Sequence, residues 1–372
     1  MRTGTFVVLC TLALLLGTTA GPIGAAEKLG GITYLEGDVS LIRDGEEIDG
    51  VQIGQDLQNF DVVRTGPDGL AEIAVSTPKA PKMTVKVSRG TQFSFEISRL
   101  GARQQTSVGL IGGTVSLKVA KLTGSQAVNL KSDAAAMGVR GTQFTVTSPP
   151  TGDILVTCDE GEVVCTDDGG RELTAIPGTV VEKRPGELFR AVPVAVSSLE
   201  TFRRDWNAER IDALRTNALR AIRNHAILYA ALSREFDRNY AELMKQQAVM
   251  SKWKNEDSRG KLGSAMELMK EKKDIVRHLF ALRKTLFRFE RVYYRLLELK
   301  DYHDQGFGRG TLESGESTTV FFQKLEREKG DMLRKMATIR YVAKLYALRN
   351  NGRVPTGAFD ESEESAEDFF DQ

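Results

Sequence analysis

This chain carries few residues suited to chemistry: three histidines, three cysteines and two tryptophans in 372 residues. His225, His278 and His303 fall in or beside stretches of helical periodicity, and none has metal-ligand spacing to another His, Cys or paired acid. His303, between Asp301 and Asp304, comes nearest to a cluster, and a place at a helix end suits it to capping carbonyls. No Gly-x-Ser-x-Gly elbow, phosphate loop or His-Glu-x-x-His occurs. These absences argue against a metal, a cofactor and nucleophilic catalysis. The one enzyme reading left is a carboxylate pair that only folding would assemble.

Long apolar runs are missing too. The longest, Phe6 to Leu16, holds 11 residues, where a membrane span needs about 20. With Arg2 before it and small residues up to Ala20 or Ala26 after it, the segment 1–26 reads as a cleavable secretory signal. Cys10 lies inside the apolar core behind Leu9, a poor setting for a lipid anchor. The expected mature chain has no transmembrane span and works outside the cytoplasm, in a periplasm or secreted. Cys158 and Cys165 would then be its two cysteines, in an oxidising compartment. A turn at Gly161-Glu162 puts them opposite each other across a hairpin, within disulfide reach. A turn at Glu160-Gly161 slips the register and separates them.

Net charge is +1, unevenly spread. Residues 1–194 hold 18 basic and 22 acidic side chains; residues 195–359 hold 33 and 21; the last 13 hold seven acids and no base. The basic surplus invites a nucleic-acid reading. An exported chain meets little nucleic acid, and the bases alternate with acids along the sequence. A solvated helical surface is the default, and an anionic or glycan polymer, lipid head groups or an acidic envelope protein are the preferred contacts.

From Ile32 to about Val192 apolar residues alternate with polar ones, as in Met83-Thr-Val-Lys-Val and Thr91-Gln-Phe-Ser-Phe-Glu-Ile, with turn signals such as Pro67-Asp-Gly69 between them. This pattern predicts an all-β sandwich or roll over 27–194. Glycine corners recur at Gly37, in Asp61-Val-Val-Arg-Thr65-Gly66, at Gly113 and in Val139-Arg140-Gly141-Thr142-Gln-Phe144, followed by Glu160-Gly161. Taken in order and spacing, these blocks make residues 30–190 resemble a FecR domain, the extracytoplasmic module of ferric-citrate regulators. The resemblance implies a non-enzymatic β module in the cell envelope. In such regulators a cytoplasmic segment and one membrane span precede the domain; here a signal peptide stands in their place, so the family's signal relay does not carry over. Arg140 could grip an acidic partner through its planar fork, but Gly138 and Gly141 fit a tight corner better, with Arg140 serving local carbonyls.

From Ser197 the period becomes 3.6. Three helices are expected, at about 198–254 with a possible break, 264–300 and 318–349. They form a long antiparallel bundle or coiled-coil hairpin over 195–352. In the second, Ile275, Leu279, Leu282, Leu286, Phe289 and Tyr293 mark a coiled-coil seam, flanked by Lys284, Arg288, Arg291 and Arg295. The seam either packs within the chain or docks a partner, a second copy included, and helices this long could serve as a spacer arm. The tail at 353–372 is acidic and of low complexity. Phe369 and Phe370 within it could dock as a short motif or fold back on the basic helices. The whole reads as a two-part α+β chain, a binding or scaffold protein of the envelope. A signalling component acting through a protein partner is the alternative.

Overall fold

The computed structural model describes residues 28–354 except 45, 101–102, 123–125, 133–134, 140, 168–169 and 261. The expected signal segment 1–26, Arg140, and Phe369 and Phe370 of the tail lie outside the described residues.

Period-two alternation becomes strands throughout the first half. In chain order these are β1 (Lys28–Glu36), β2 (Val39–Arg43), β3 (Glu46–Ile48), β4 (Asp56–Gln58), β5 (Val62–Thr65), β6 (Leu70–Val75), β7 (Met83–Val87), β8 (Gln92–Leu100) and β9 (Arg103–Val119). They continue as β10 (Gln126–Lys131), β11 (Ala136–Val139), β12 (Gln143–Ser148), β13 (Ile154–Glu160), β14 (Val163–Thr166), β15 (Glu172–Ala175), β16 (Thr179–Lys183) and β17 (Arg190–Pro193). One sheet runs β4-β1-β6-β7-β9-β12-β13-β16-β17. The other runs β3-β2-β5-β8-β9-β10-β11-β14-β15, with β9 and β10 its one parallel pair.

Strand β9 belongs to both sheets. Its residues up to Gly112 pair with β8, and those from Gly113 onward pair with β12 and β7. The corner is Gly113, at φ +92°. A Cβ there would sit 2.5 Å from the Thr91 Cα, so no other residue fits without displacing backbone. Between the sheets, Leu41, Val63, Phe93, Phe95 and Leu110 face Ile73, Val85, Leu117, Phe144 and Val156, all buried.

The disulfide expectation fails on topology. Cys158 lies on β13 in the first sheet, opposite Phe144, and Cys165 on β14 in the second, between Met137 and Leu173. At Gly161, φ +83°, the chain crosses from one sheet to the other instead of closing a hairpin. Both thiols are free and buried. Burial pushes them up, to about 11 for Cys158 and about 12 for Cys165.

The second half is helical: α1 (Leu199–Met244), α2 (Gln247–Ser258), α3 (Ala265–Asp304) and α4 (Thr318–Arg349). The expected first helix breaks at Lys245-Gln246 into α1 and α2, and α1 itself kinks at Asn217. Ser264 and Glu267 form a capping box on α3, and the Ser317 side chain caps α4. Helices α1, α3 and α4 make an antiparallel bundle whose core includes Phe236, Leu282, Phe289, Tyr293, Ile339 and Tyr346. Phe236 stacks on Phe289 at 4.4 Å between ring centroids.

This bundle is not a free arm. Phe60 and Ile111 of the sandwich belong to its core, and Ala337 of α4 covers Ile42 and Val62 on the outer face of β2 and β5. At the other end, Trp206 of α1 packs on Leu155 and Val180, and its ring N–H donates to Glu182. No helix among the described residues is long and apolar enough to cross a membrane.

Candidate functional site

The glycine-corner residues serve the backbone. Gly37 (φ +64°) lies against Asp68, and Gly66 lies against Asp38. Gly141 (φ +65°) and Gly161 flank Thr142, which is buried, and Phe144 fills the core. The Thr65 hydroxyl donates to the Ser88 carbonyl at 2.6 Å and accepts from the Thr91 N–H at 2.9 Å. Buried Asp61 takes Arg43 through Nε at 3.0 Å and Nη2 at 2.6 Å, and the Gln58 N–H at 2.7 Å. Burial nonetheless keeps its carboxyl above the usual range, against the pull of Arg43.

Alternation along β8 turns Ser94 and Glu96 outward, where a sheet normally meets water. Here α3 covers them. Arg283 Nη2 lies 2.9 Å from both Glu96 carboxylate oxygens. Two turns further along α3, buried Glu290 accepts from Arg340 of α4 through Nε at 3.2 Å and Nη2 at 2.5 Å. Burial raises the Glu290 carboxyl, while Arg340 and then Arg283 oppose the shift. These four charges alternate in sign around a narrow cleft that Phe60, Ser94, Ile111 and Leu286 also line. The cleft holds two carboxylates, the minimum for acid–base work, but each is committed to a guanidinium, as in a structural seam.

The partner-docking candidates on α3 are not available to a partner. Ile275, Leu279, Leu282, Leu286, Phe289 and Tyr293 are all buried, because α1 and α4 close over that stripe. Arg295, expected at the seam's edge, is buried too, its Nη1 2.5 Å from Glu298 and its Nη2 3.3 Å from the Ser148 hydroxyl. His303 is buried, its Nε2 3.1 Å from the Thr318 hydroxyl, so it ties the end of α3 to the start of α4; burial lowers its pKa. No group of three or more His, Cys, Asp or Glu among the described residues could hold a metal ion.

What α3 does present is charge. Lys273, Arg277, Lys284 and Arg288 are exposed and spaced by 4, 7 and 4 residues, so they share one face over about 22 Å. None of the four has a carboxylate at ion-pair distance among the described residues. Between Lys273 and Arg288 the sequence holds one acid, Asp274, and Arg277 acts on the Glu242 carboxylate of α1. Glu271 turns inward to Lys252 and Trp253, and Glu290 to Arg340, while Asp274 stays exposed. Beside this face, Leu228 of α1 is 49% exposed, seven residues before Glu235, whose carboxylate accepts from Thr285 of α3 at 3.0 Å.

The charged seam had no signal in sequence, whereas Lys284 and Arg288 of the face already flanked the apolar spacing of α3. Glu96, Arg283, Glu290 and Arg340 each looked like an ordinary solvated side chain, and only folding brings them together.

A family model described as FecR protein matches residues 61–164. Two crystal structures of a candidate anti-sigma factor from Parabacteroides distasonis ATCC 8503, at 2.50 and 1.65 Å, align at 12% identity with a TM-score of 0.32. Each alignment covers 38% of this chain and 63% of the other, so the chain spans less than two thirds of that protein's length. No curated protein matches the chain.

Proposed function

We propose that this chain, which carries a FecR domain at residues 61–164, is a non-catalytic binding and scaffold protein of the cell envelope. In this reading the sandwich is a rigid base and the outer face of α3 is the surface offered to an anionic partner. One observation carries it. The apolar seam of the bundle and the outer face of β8 are consumed inside the chain, and the cations Lys273, Arg277, Lys284 and Arg288 are left exposed. An extracytoplasmic location rests on the sequence of residues 1–26 and the nature of the family.

Binding to heparin and to poly-L-glutamate at several salt concentrations tests this. Replacing the four cations with Gln should weaken polyanion binding at least 10-fold, and each removed contact should lower the slope of log K against log salt by about one. Unchanged affinity would exclude the face.

A second reading, a component of FecR-type envelope signalling acting through an acidic protein partner, draws support from the family match. It expects poly-L-glutamate to be preferred over heparin.

A further inference from the structure

The helical half holds the sandwich in two unlike ways, one on each side of the kink in α1. We infer that the bundle is a hinged cover: it turns at Asn217, closes over the outer face of β8 and seats on Phe60. This inference uses none of the four exposed cations of the binding reading.

The hinge lies between two attachments. Up to Arg210, α1 is fixed to the sandwich: Trp206 packs on Leu155 and Val180, Arg203 Nη2 lies 2.6 Å from Asp159, and Arg210 lies 3.7 Å from buried Asp153. From Leu214 on, α1 belongs to the bundle core, with Ile222 and Phe236. At the change-over the Thr216 hydroxyl donates to the Asp212 carbonyl at 3.1 Å, and Asn217 Nδ2 donates to the Ala213 carbonyl at 2.9 Å. Side chains bonded to carbonyls four residues back bend a helix. Asn217 has left helical geometry, at φ −110° and ψ 15°.

The covered face is polar. Gln92, Ser94 and Glu96 of β8 point away from the sandwich core and are buried, and Gln92 Nε2 lacks a hydrogen-bond partner. A strand covered on both faces for good reads instead as a continuous apolar run. Across this face Arg283 holds Glu96, Arg295 reaches the Ser148 hydroxyl at 3.3 Å, and Lys344 holds both Asp44 oxygens at 2.7 and 2.9 Å. The core between the sheets and the core of the bundle are separate, and Phe60 and Ile111 are the sandwich residues that join the latter. Charged contacts around a small apolar centre are the make-up of a transient domain interface, whose two sides regain water when they part.

Phe60 is built as the seat. Its φ is +72°, a left-handed conformation uncommon for a bulky side chain. The sandwich itself enforces it. Asn59 donates to the Ile97 carbonyl and accepts from the Ile97 N–H, both at 2.8 Å, and Asp61, gripped by Arg43, accepts from the Gln58 N–H. Phe60 lines the cleft with Leu286, Ile339 and Ala343, ringed by Arg283, Glu290 and Arg340. One preformed aromatic in a charged surround is how docking interfaces are anchored, and held strain of this kind gathers at switch points. Opening bares Phe60 and Glu96 on one side and Arg283 and Lys344 on the other. A partner that binds only the open state shifts the population toward it.

Thiol labelling of the full chain at pH 8 without denaturant, mapped cysteine by cysteine, tests the hinge. Cys158 and Cys165 report opening of the sandwich core. Ser94→Cys adds a probe beneath the cover, and Ala226→Cys, in a second variant, one in the bundle core. The thiol at 94 should react at least about 10-fold faster than the other three, as a sub-global opening does. Adding Arg283→Gln and Lys344→Gln should raise its rate at least about 10-fold more and leave the other three unchanged, since Glu96 then lacks its partner only in the closed state. Asn217→Ala, which restores regular helix, should slow it, and an unchanged rate would exclude Asn217 as the hinge. Equal rates at all four positions would make the chain one cooperative unit and overturn the inference. A thiol at 226 as fast as the one at 94 would overturn it too, because the bundle would be melting rather than turning. So would cation variants that speed every position alike. Where Ser94→Cys does not fold, Ala337→Cys reads the same contact from α4.

Discussion

Arg340→Met tests the seam most directly. Arg340 is the partner of Glu290, and the two side chains are 16% and 3% exposed. Removing one member of a buried pair costs about 3–5 kcal/mol, because the other charge is left without compensation. Here the loss should fall toward the lower end, since Arg283 also acts favourably on the Glu290 carboxylate. The cost must also depend on pH. Burial already raises the Glu290 pKa in the folded protein, and losing Arg340, which opposes that shift, raises it further. In the unfolded chain the group titrates near the ordinary value of about 4.3. Between the unfolded and folded pKa values the folded state binds the extra proton, so the variant loses stability as pH rises through that window. Urea unfolding should therefore show a deficit of about 3 kcal/mol at pH 8 and a much smaller one near pH 4.5. The double variant Glu290→Leu/Arg340→Met should recover most of the loss, since an apolar pair of similar volume often replaces a buried ion pair at no cost. Fluorescence can follow it, because Trp206 reports on the sandwich–α1 junction and Trp253 on the end of the bundle where it packs against Tyr346. A deficit below about 1 kcal/mol at pH 8, or one that does not change with pH, would refute the assignment of Glu290 and Arg340 as a coupled buried pair.

Three further outcomes are expected. Gly113→Ala should cost more than about 4 kcal/mol or prevent folding, since backbone lies 2.5 Å from the new Cβ. Gly50→Ala, at φ +67° with nothing within 4 Å, should cost only about 1–2 kcal/mol; equal thermal shifts for the two would contradict the corner at β9. Asp61→Asn should flatten the fall of stability with rising pH just above the ordinary carboxylate range, because burial raises the Asp61 pKa in the folded state; an unchanged slope across pH 4–7 would count against it. Cys158 and Cys165 should resist a thiol reagent at pH 8 in the native protein and react at once in denaturant, given thiols pushed up to about 11 and about 12. An intact mass 2 Da below that of the dithiol would show a disulfide instead.

Much of the fold was readable from local pattern. Alternation at Met83–Val87 and across Gln92 to Ile97 marked β7 and β8, and the third expected helix, 318–349, coincides with α4. What local pattern does not carry is which surface covers which. Alternation shows that Cys158 and Cys165 point inward without showing that their strands lie in different sheets. A polar outward side chain such as Ser94 or Glu96 predicts water, and nothing nearby in sequence announces that Arg283, 187 positions later, will take its place. The coiled-coil seam was visible as apolar spacing and the other two helices were expected, but the spacing left open whether those helices or a partner cover it. Lys284 and Arg288 were visible as cations beside that seam, but spacing alone did not show that their side stays open while the apolar side closes.

Strand β9 gives the sandwich a property that two stacked sheets would not have. One unbroken backbone runs through both layers, and Gly112, just before the corner, lies against Glu298 of α3. A change of angle between the two layers must therefore be taken up within one strand, at the crease beside Glu298. The layers cannot part like the covers of a book along that line.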